Sequence, residues 1–196
     1  HRPPNFAIDS VLQADAISAD EASKFGSLVI QDQGGRMKPA NTFASELVRK
    51  VSKSDHYKSL DANQVLLSIT QNPIIWYQVP FVYLKRGNDS IRSLVGVDKK
   101  AKYASFANFF DTQGNYKLAP YLEAAYKSAT PNQFEKDFIQ TDRKVNLLFS
   151  ALEGKVLRIF PVPNDDNNLW VSPAEVNEIS FEGVDSLYVN NVLPLY

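Results

Sequence analysis

The feature that most constrains this 196-residue chain is one long apolar stripe in its second half. Phe134, Phe138, Val145, Leu148, Phe149 and Leu152 recur at helical spacing. Thr130 with Gln133 three residues later reads as a capping box. Pro131 then takes the first helical position, where a missing N–H costs nothing, and Gly154 ends the helix. A stripe of that length needs covering elements, so this helix is expected to be the one around which the others pack.

Shorter helices supply the cover. Ser18 and Glu21 form a capping box for a helix that stops at Gly26. From Thr42 to Lys53, Phe43, Leu47 and Val51 repeat every four residues beside Ala44 and Val48. Asn41 or Thr42 caps this helix, Pro39 keeps it from starting earlier, and Glu46 pairs with Lys50 on its wet side. Asp61 with Gln64 caps a helix that turns Val65, Leu66 and Ile69 inward. Pro73 begins a short turn, Asp89 or Ser90 begins a short helix carrying Ile91, Leu94 and Val95 and ended by Gly96, and Pro120 lies in the first turn of a helix over 118–129. Tyr103, Phe106, Phe109 and Phe110 fall on one helical face, with Ser105 as the candidate cap of that segment, and core packing is the expected use of those rings. A last helix is read over 184–195.

Strands are few. Leu28 to Asp32 is a β-branched run, followed by a turn at Gln33-Gly34-Gly35-Arg36. Val79 to Lys85 is a strand that Pro80 confines to an edge or an entry. Lys155 to Phe160 alternates and ends at Pro161-Val162-Pro163, and Leu169 to Val171 returns from the polar loop after it. The expected fold class is α+β, a predominantly helical single domain with a small antiparallel sheet shared by the strands near Leu28, Val156 and Val79. Residues 1–19 are expected to be an extended N-terminal segment, because Pro3 and Pro4 favour extended backbone, with Ile8, Val11 and Leu12 either forming one helical turn face or docking on the body. Residues 20–180 form the domain, and 181–196 a C-terminal segment leading toward a membrane part.

Composition removes several function classes. There is no cysteine, which excludes disulfides, thiol nucleophiles and thiolate metal sites. The formal net charge is -1, so no global field gathers nucleic acid, and no nucleic-acid partner is expected. No run reaches the roughly 18 apolar residues of a membrane helix. The chain is therefore read as a soluble piece of a longer protein. Ser54-Asp55-His56 has the residue types of a hydrolytic relay, but in adjacent positions that cannot form one. His56 is read as an exposed bystander, and His1 as a chain edge. Asp165 and Asp166 lack the glycine and distal glutamate of a calcium loop and read as a solvated turn.

The stretch Gln31-Asp32-x-x-Gly35-Arg36-x-Lys38-Pro39-x-Asn41-Thr42-Phe43 resembles a segment of system II cytochrome c biogenesis proteins of the fused ResB/CcsA type. Asn132 to Asn146 and Arg158 to Asp165 resemble the same family. The resemblance implies the extracytoplasmic (periplasmic) domain of a membrane protein that exports haem and attaches it to apocytochrome c. It implies haem as cofactor of the parent protein, membrane helices of the same protein as partners, and apocytochrome c as a further partner. The tryptophan-rich haem segment of that family has no counterpart here, so no haem ligand is carried over. No catalytic, cofactor-binding or metal residue is assigned within this chain; the fragment is read as non-catalytic and the parent as similar to a cytochrome c synthase.

The candidate interaction surface is Gln33, Gly34, Gly35, Arg36, Lys38 and Asn41. Read structurally, the glycines make the hairpin, Arg36 pairs with Asp32, and Asn41 caps. Read functionally, Arg36 and Lys38 project from a rigid turn toward a protein carboxylate or a haem propionate. The alternative to the family reading is a periplasmic peptide- or cell-wall-ligand-binding module unrelated to haem.

Overall fold

The computed structural model describes residues 5–179 together with 189 and 190. Of the last helix read over 184–195 only Val189 and Asn190, both helical, are described; the rest of it, and His1, lie outside the described residues. In chain order the elements begin with α1 (Asn5–Ala14), α2 (Ala19–Gly26), the β1 (Val29–Gln31) and β2 (Met37–Pro39) hairpin, and α3 (Ala40–Ser52). A second hairpin, β3 (His56–Tyr57) and β4 (Leu60–Asp61), leads into α4 (Ala62–Gln71) and α5 (Pro73–Trp76). Then come β5 (Pro80–Tyr83), α6 (Asp89–Val95) and β6 (Tyr103–Ser105), with a 3-10 turn at Phe106–Phe109. The long α7 (Ala119–Lys127) and α8 (Gln133–Leu152) pair is followed by β7 (Phe160–Pro161), β8 (Trp170–Val171) and a 3-10 turn at Val176–Glu178.

The fold is α+β and mainly helical, as expected. The strands form four two-stranded antiparallel ladders: β1–β2, β3–β4, β5–β6 and β7–β8. They do not share one sheet. The segments at Leu28 and Val156 still meet, through a single antiparallel bridge between Gln31 and Arg158. Pro80 sits at the entry of β5, opposite Ser105, and Phe81 is the extra residue of a bulge.

One core runs through the described residues. The α3 stripe of Phe43, Ala44, Leu47, Val48 and Val51 is buried, as are Val65, Leu66 and Ile69 of α4. Helix α8 contributes Phe138, Val145, Leu148 and Leu152. Two members of the expected stripe differ, because Phe134 and Phe149 remain 45% and 40% exposed. Trp76 is fully buried, and its Nε1–H donates to Ser68 Oγ at 2.9 Å, satisfying the one polar atom the ring brings inside.

Several expectations are corrected. Asn5–Ala14 is helical where an extended segment was expected: Ile8 and Leu12, one turn apart, both bury, and this docking outweighs the prolines before it. Helix α3 starts at Ala40, directly after Pro39, and neither Asn41 nor Thr42 caps it. Ala40 N–H donates instead to the carbonyl of Leu28, just before β1, at 2.8 Å, so the pairing of the hairpin sets where the helix begins. The cap of α8 is Asn132, not Thr130; its side chain accepts from Glu135 N–H while Glu135 answers Asn132 N–H. Tyr103 belongs to a strand and not to the helical face, because Tyr103–Ser105 completes the ladder with β5, while Ser105 is the N-cap of the 3-10 turn as expected. The capping box at Asp61 is present as expected. At Ser18 only half of the expected box forms: its Oγ accepts from Glu21 N–H, while Glu21 Oε2 accepts from the Ser18 hydroxyl and not from the Ser18 amide.

Candidate functional site

The hairpin tip is built by Asp32. Its Oδ1 accepts from Gly34 N–H at 2.9 Å and Arg36 N–H at 3.0 Å, and its backbone closes the turn with Arg36 O and Gly35 N–H. Gly35 has φ +78, a left-handed conformation that a side chain would strain. The Arg36 amide, above all, holds the Asp32 carboxyl below the usual carboxylate range.

Lys38 is not a free cation. Its Nζ lies 3.0 Å from Glu46 Oε2 and 3.1 Å from Asp32 Oδ2, and these partners raise its pKa, Glu46 most. The pair clamps the hairpin onto α3. Glu46 therefore meets Lys38 and not the expected Lys50. Arg36 gives Asp32 its backbone but not its guanidinium, which is exposed and has no ion pair among the described residues. Of the two cations expected to project from the turn, one is used internally and one is available.

Gln33, Gly34, Gly35 and Arg36 are exposed together at the tip. Asn41 stands apart from them in the first turn of α3, accepting from Thr42 Oγ1. Its Cβ lies close to Gly26: a Cβ built at Gly26 would meet Asn41 Cβ at 3.1 Å and Asn63 Nδ2 at 2.7 Å. Gly26 thus permits the close approach of α2 to α3 and α4.

Gln31, one residue before the turn, anchors the hairpin to the C-terminal part of the chain. It is buried, its Oε1 accepts from Trp170 N–H at 2.9 Å, and its Nε2 donates to Asn168 O at 2.8 Å. The side-chain amide imitates a strand edge for β8. Arg92 is a second residue that sequence reasoning missed. It is 5% exposed, and its guanidinium donates to Leu84 O, Lys85 O and Ala101 O at 3.1, 3.0 and 2.8 Å. Asp142 is a third, a buried carboxylate accepting from the Tyr116 and Tyr126 hydroxyls. No local pattern marks these three, since each looks like a surface residue of its own helix or strand.

His56 is exposed; its Nδ1 lies 2.7 Å from Asp55 Oδ1 and 3.5 Å from Ser54 Oγ. Both neighbours meet the same ring nitrogen, whereas a relay requires opposite ones. A cleft of about 360 Å³ beside it is lined by Asp9, Tyr57, Phe81 and Tyr103. There, Tyr57 OH donates to Asp9 at 2.8 Å and Lys58 pairs with the same carboxylate at 3.2 Å. Among the described residues no histidine–carboxylate cluster is placed to hold a metal. An open groove of about 430 Å³ exposes the edge of the core between Tyr77, Phe110 and Phe149, over a Phe106–Phe149 stack with centroids 5.9 Å apart. Phe106 and Phe109 are core residues as expected. No described helix is long and apolar enough to cross a membrane.

No family model matches the chain. A curated protein does: Protein NrfI of Wolinella succinogenes is 31% identical over 161 residues, covering 80% of this chain and 17% of that protein. The chain therefore spans about a sixth of its relative's length. This match corrects the assignment to the fused ResB/CcsA type: the relative found is NrfI. The residues that carried the assignment have local structural duties. Gln31 anchors β8, Asp32 and Gly35 make the turn, Lys38 clamps α3 and Phe43 enters the core. Such wording identifies a structural module, not a type of assembly.

Proposed function

We propose that this chain takes part in cytochrome c maturation, as an extracytoplasmic, water-exposed domain of a membrane-bound maturation protein. The observation that carries the reading is the kinship with NrfI across 80% of the chain. The resemblance of Gln31 to Phe43 to cytochrome c biogenesis proteins supports the same coarse grouping. Within that role the domain serves assembly or positions the acceptor, apocytochrome c, while haem belongs to the parent protein. Its partners are then the membrane helices of that protein and the apocytochrome. The exposed tip carrying Arg36 supports a docking role: a planar guanidinium on a fixed turn suits a carboxylate. No observation favours a peptide- or cell-wall-ligand module.

The test uses the full-length parent protein in its native membrane. Apocytochrome c is expected to co-purify with it, and to be lost when residues 20–180 are deleted from a protein that still inserts at normal levels. Equal recovery of apocytochrome with the deleted protein would remove the acceptor-positioning role.

A further inference from the structure

The overall charge balance hides a local concentration. Lys85, Arg86, Arg92, Lys99, Lys100 and Lys102 outnumber Asp89 and Asp98 in the stretch from 85 to 102. The fold gathers both ends of this stretch. Leu84 N–H donates to Lys102 O at 2.8 Å, and the Arg92 guanidinium holds the Lys85 and Ala101 carbonyls at once. Two fixed turns then present the cations. Asn88 N–H to Lys85 O closes the one that carries Arg86. Ala101 N–H to Asp98 O, with Asp98 Oδ1 accepting from Lys100 N–H, closes the one that carries Lys99 and Lys100.

The carboxylates nearby offset this rim only in part: Asp137 pairs with Lys85 at 3.3 Å, Asp89 lies 3.9 Å from the buried Arg92, and Asp98 keeps its charge while its Oδ1 holds the turn. Arg86, Lys99, Lys100 and Lys102 are exposed and have no ion pair among the described residues. Beside them the half-buried Tyr83 and Tyr103 rings meet edge to face, with centroids 6.0 Å apart.

We propose that this basic rim docks the domain on an anionic membrane surface. A plane of anionic headgroups engages several cations on adjacent turns without needing a groove. An acidic peptide would need a seat, and the cleft next to the rim presents Asp98 as its one charged lining residue. The proposal concerns this surface alone and does not depend on the cytochrome c reading.

The experiment is co-sedimentation of the 196-residue chain with vesicles of phosphatidylcholine alone, or of phosphatidylcholine mixed with phosphatidylglycerol. Binding is expected only to the anionic vesicles and is expected to weaken with added salt. A variant combining Arg86→Gln, Lys99→Gln, Lys100→Gln and Lys102→Gln is expected to lose it, by about fivefold for each cation removed. A control combining Lys24→Gln, Lys50→Gln and Lys136→Gln, exposed cations elsewhere, is expected to bind as the parent does. Circular dichroism confirms that each variant is folded. The proposal is overturned by absence of binding at low ionic strength, by equal binding to neutral vesicles, or by an equal loss in the control. Binding of poly-glutamate as tight as that of anionic vesicles would assign the rim to a protein partner and overturn it as well.

Discussion

Arg92→Met removes the residue that ties α6 to β5 and to the turn before β6. Three charge-assisted hydrogen bonds disappear, to Leu84 O, Lys85 O and Ala101 O. Each such bond is worth about 1.5–3 kcal/mol. The bond to Leu84 is the one fully shielded from water, so its carbonyl is left unpaired in the interior. The Lys85 and Ala101 bonds are only partly buried, so water recovers part of what they lose. Methionine keeps the apolar stem and refunds some desolvation of the guanidinium. The net cost is about 3–4 kcal/mol, which lowers the melting temperature of a domain this size by about 10 °C. Arg92→Lys should fall between, since one ammonium cannot span three carbonyls held by a planar fork. Urea unfolding followed by circular dichroism gives the value directly. A loss below about 1 kcal/mol for Arg92→Met would refute the assignment of Arg92 as the organiser of this region.

Two further perturbations follow from the same geometry. Gln31→Leu keeps the bulk but strands Trp170 N–H and the Asn168 carbonyl; we expect a loss of about 2 kcal/mol, read from urea midpoints, with β8 amides exchanging faster. Lys144 titrates at about 8, because burial and then the Lys53 charge disfavour its ammonium, while the unfolded chain keeps that proton to the ordinary value of 10.5. Between those values the unfolded state holds more protons, so stability rises with pH from about 8. Tyr57 and Tyr116, which burial holds protonated above the ordinary 10.0, remove stability beyond that point. Discounted for partial exposure, the rise is about 1–2 kcal/mol, and Lys144→Met should abolish it; an unchanged pH profile in that variant would contradict the assignment.

Much of the fold was legible because helices write their buried face into local spacing. The α3 and α4 stripes, the Asp61–Gln64 box and the turn ended by Gly96 all depend on residues within one or two turns. What sequence could not supply was any partner far along the chain. Gln31 meets an acceptor 137 residues away, so nothing near it distinguishes a buried anchor from an exposed glutamine. The same holds for α3: a local reading asks for a side-chain cap, while the structure uses the Leu28 carbonyl. Tyr103 misled for a related reason, since aromatics at helical spacing follow it and its strand partner lies at Pro80 to Tyr83. At the hairpin tip, the Gly-Gly turn and its exposure were readable, but not which cation stays available. Pairing of Lys38 with Asp32 and Glu46 depends on how the hairpin folds back over α3.

Cells lacking the native parent protein, complemented either with the full-length form or with one deleted of residues 20–180, put the maturation role to its sharpest trial. Covalently bound haem in c-type cytochromes is measured at matched membrane levels of the two proteins. The account predicts that the deleted form yields essentially none. Restoration of cytochrome c to the full-length level would contradict it.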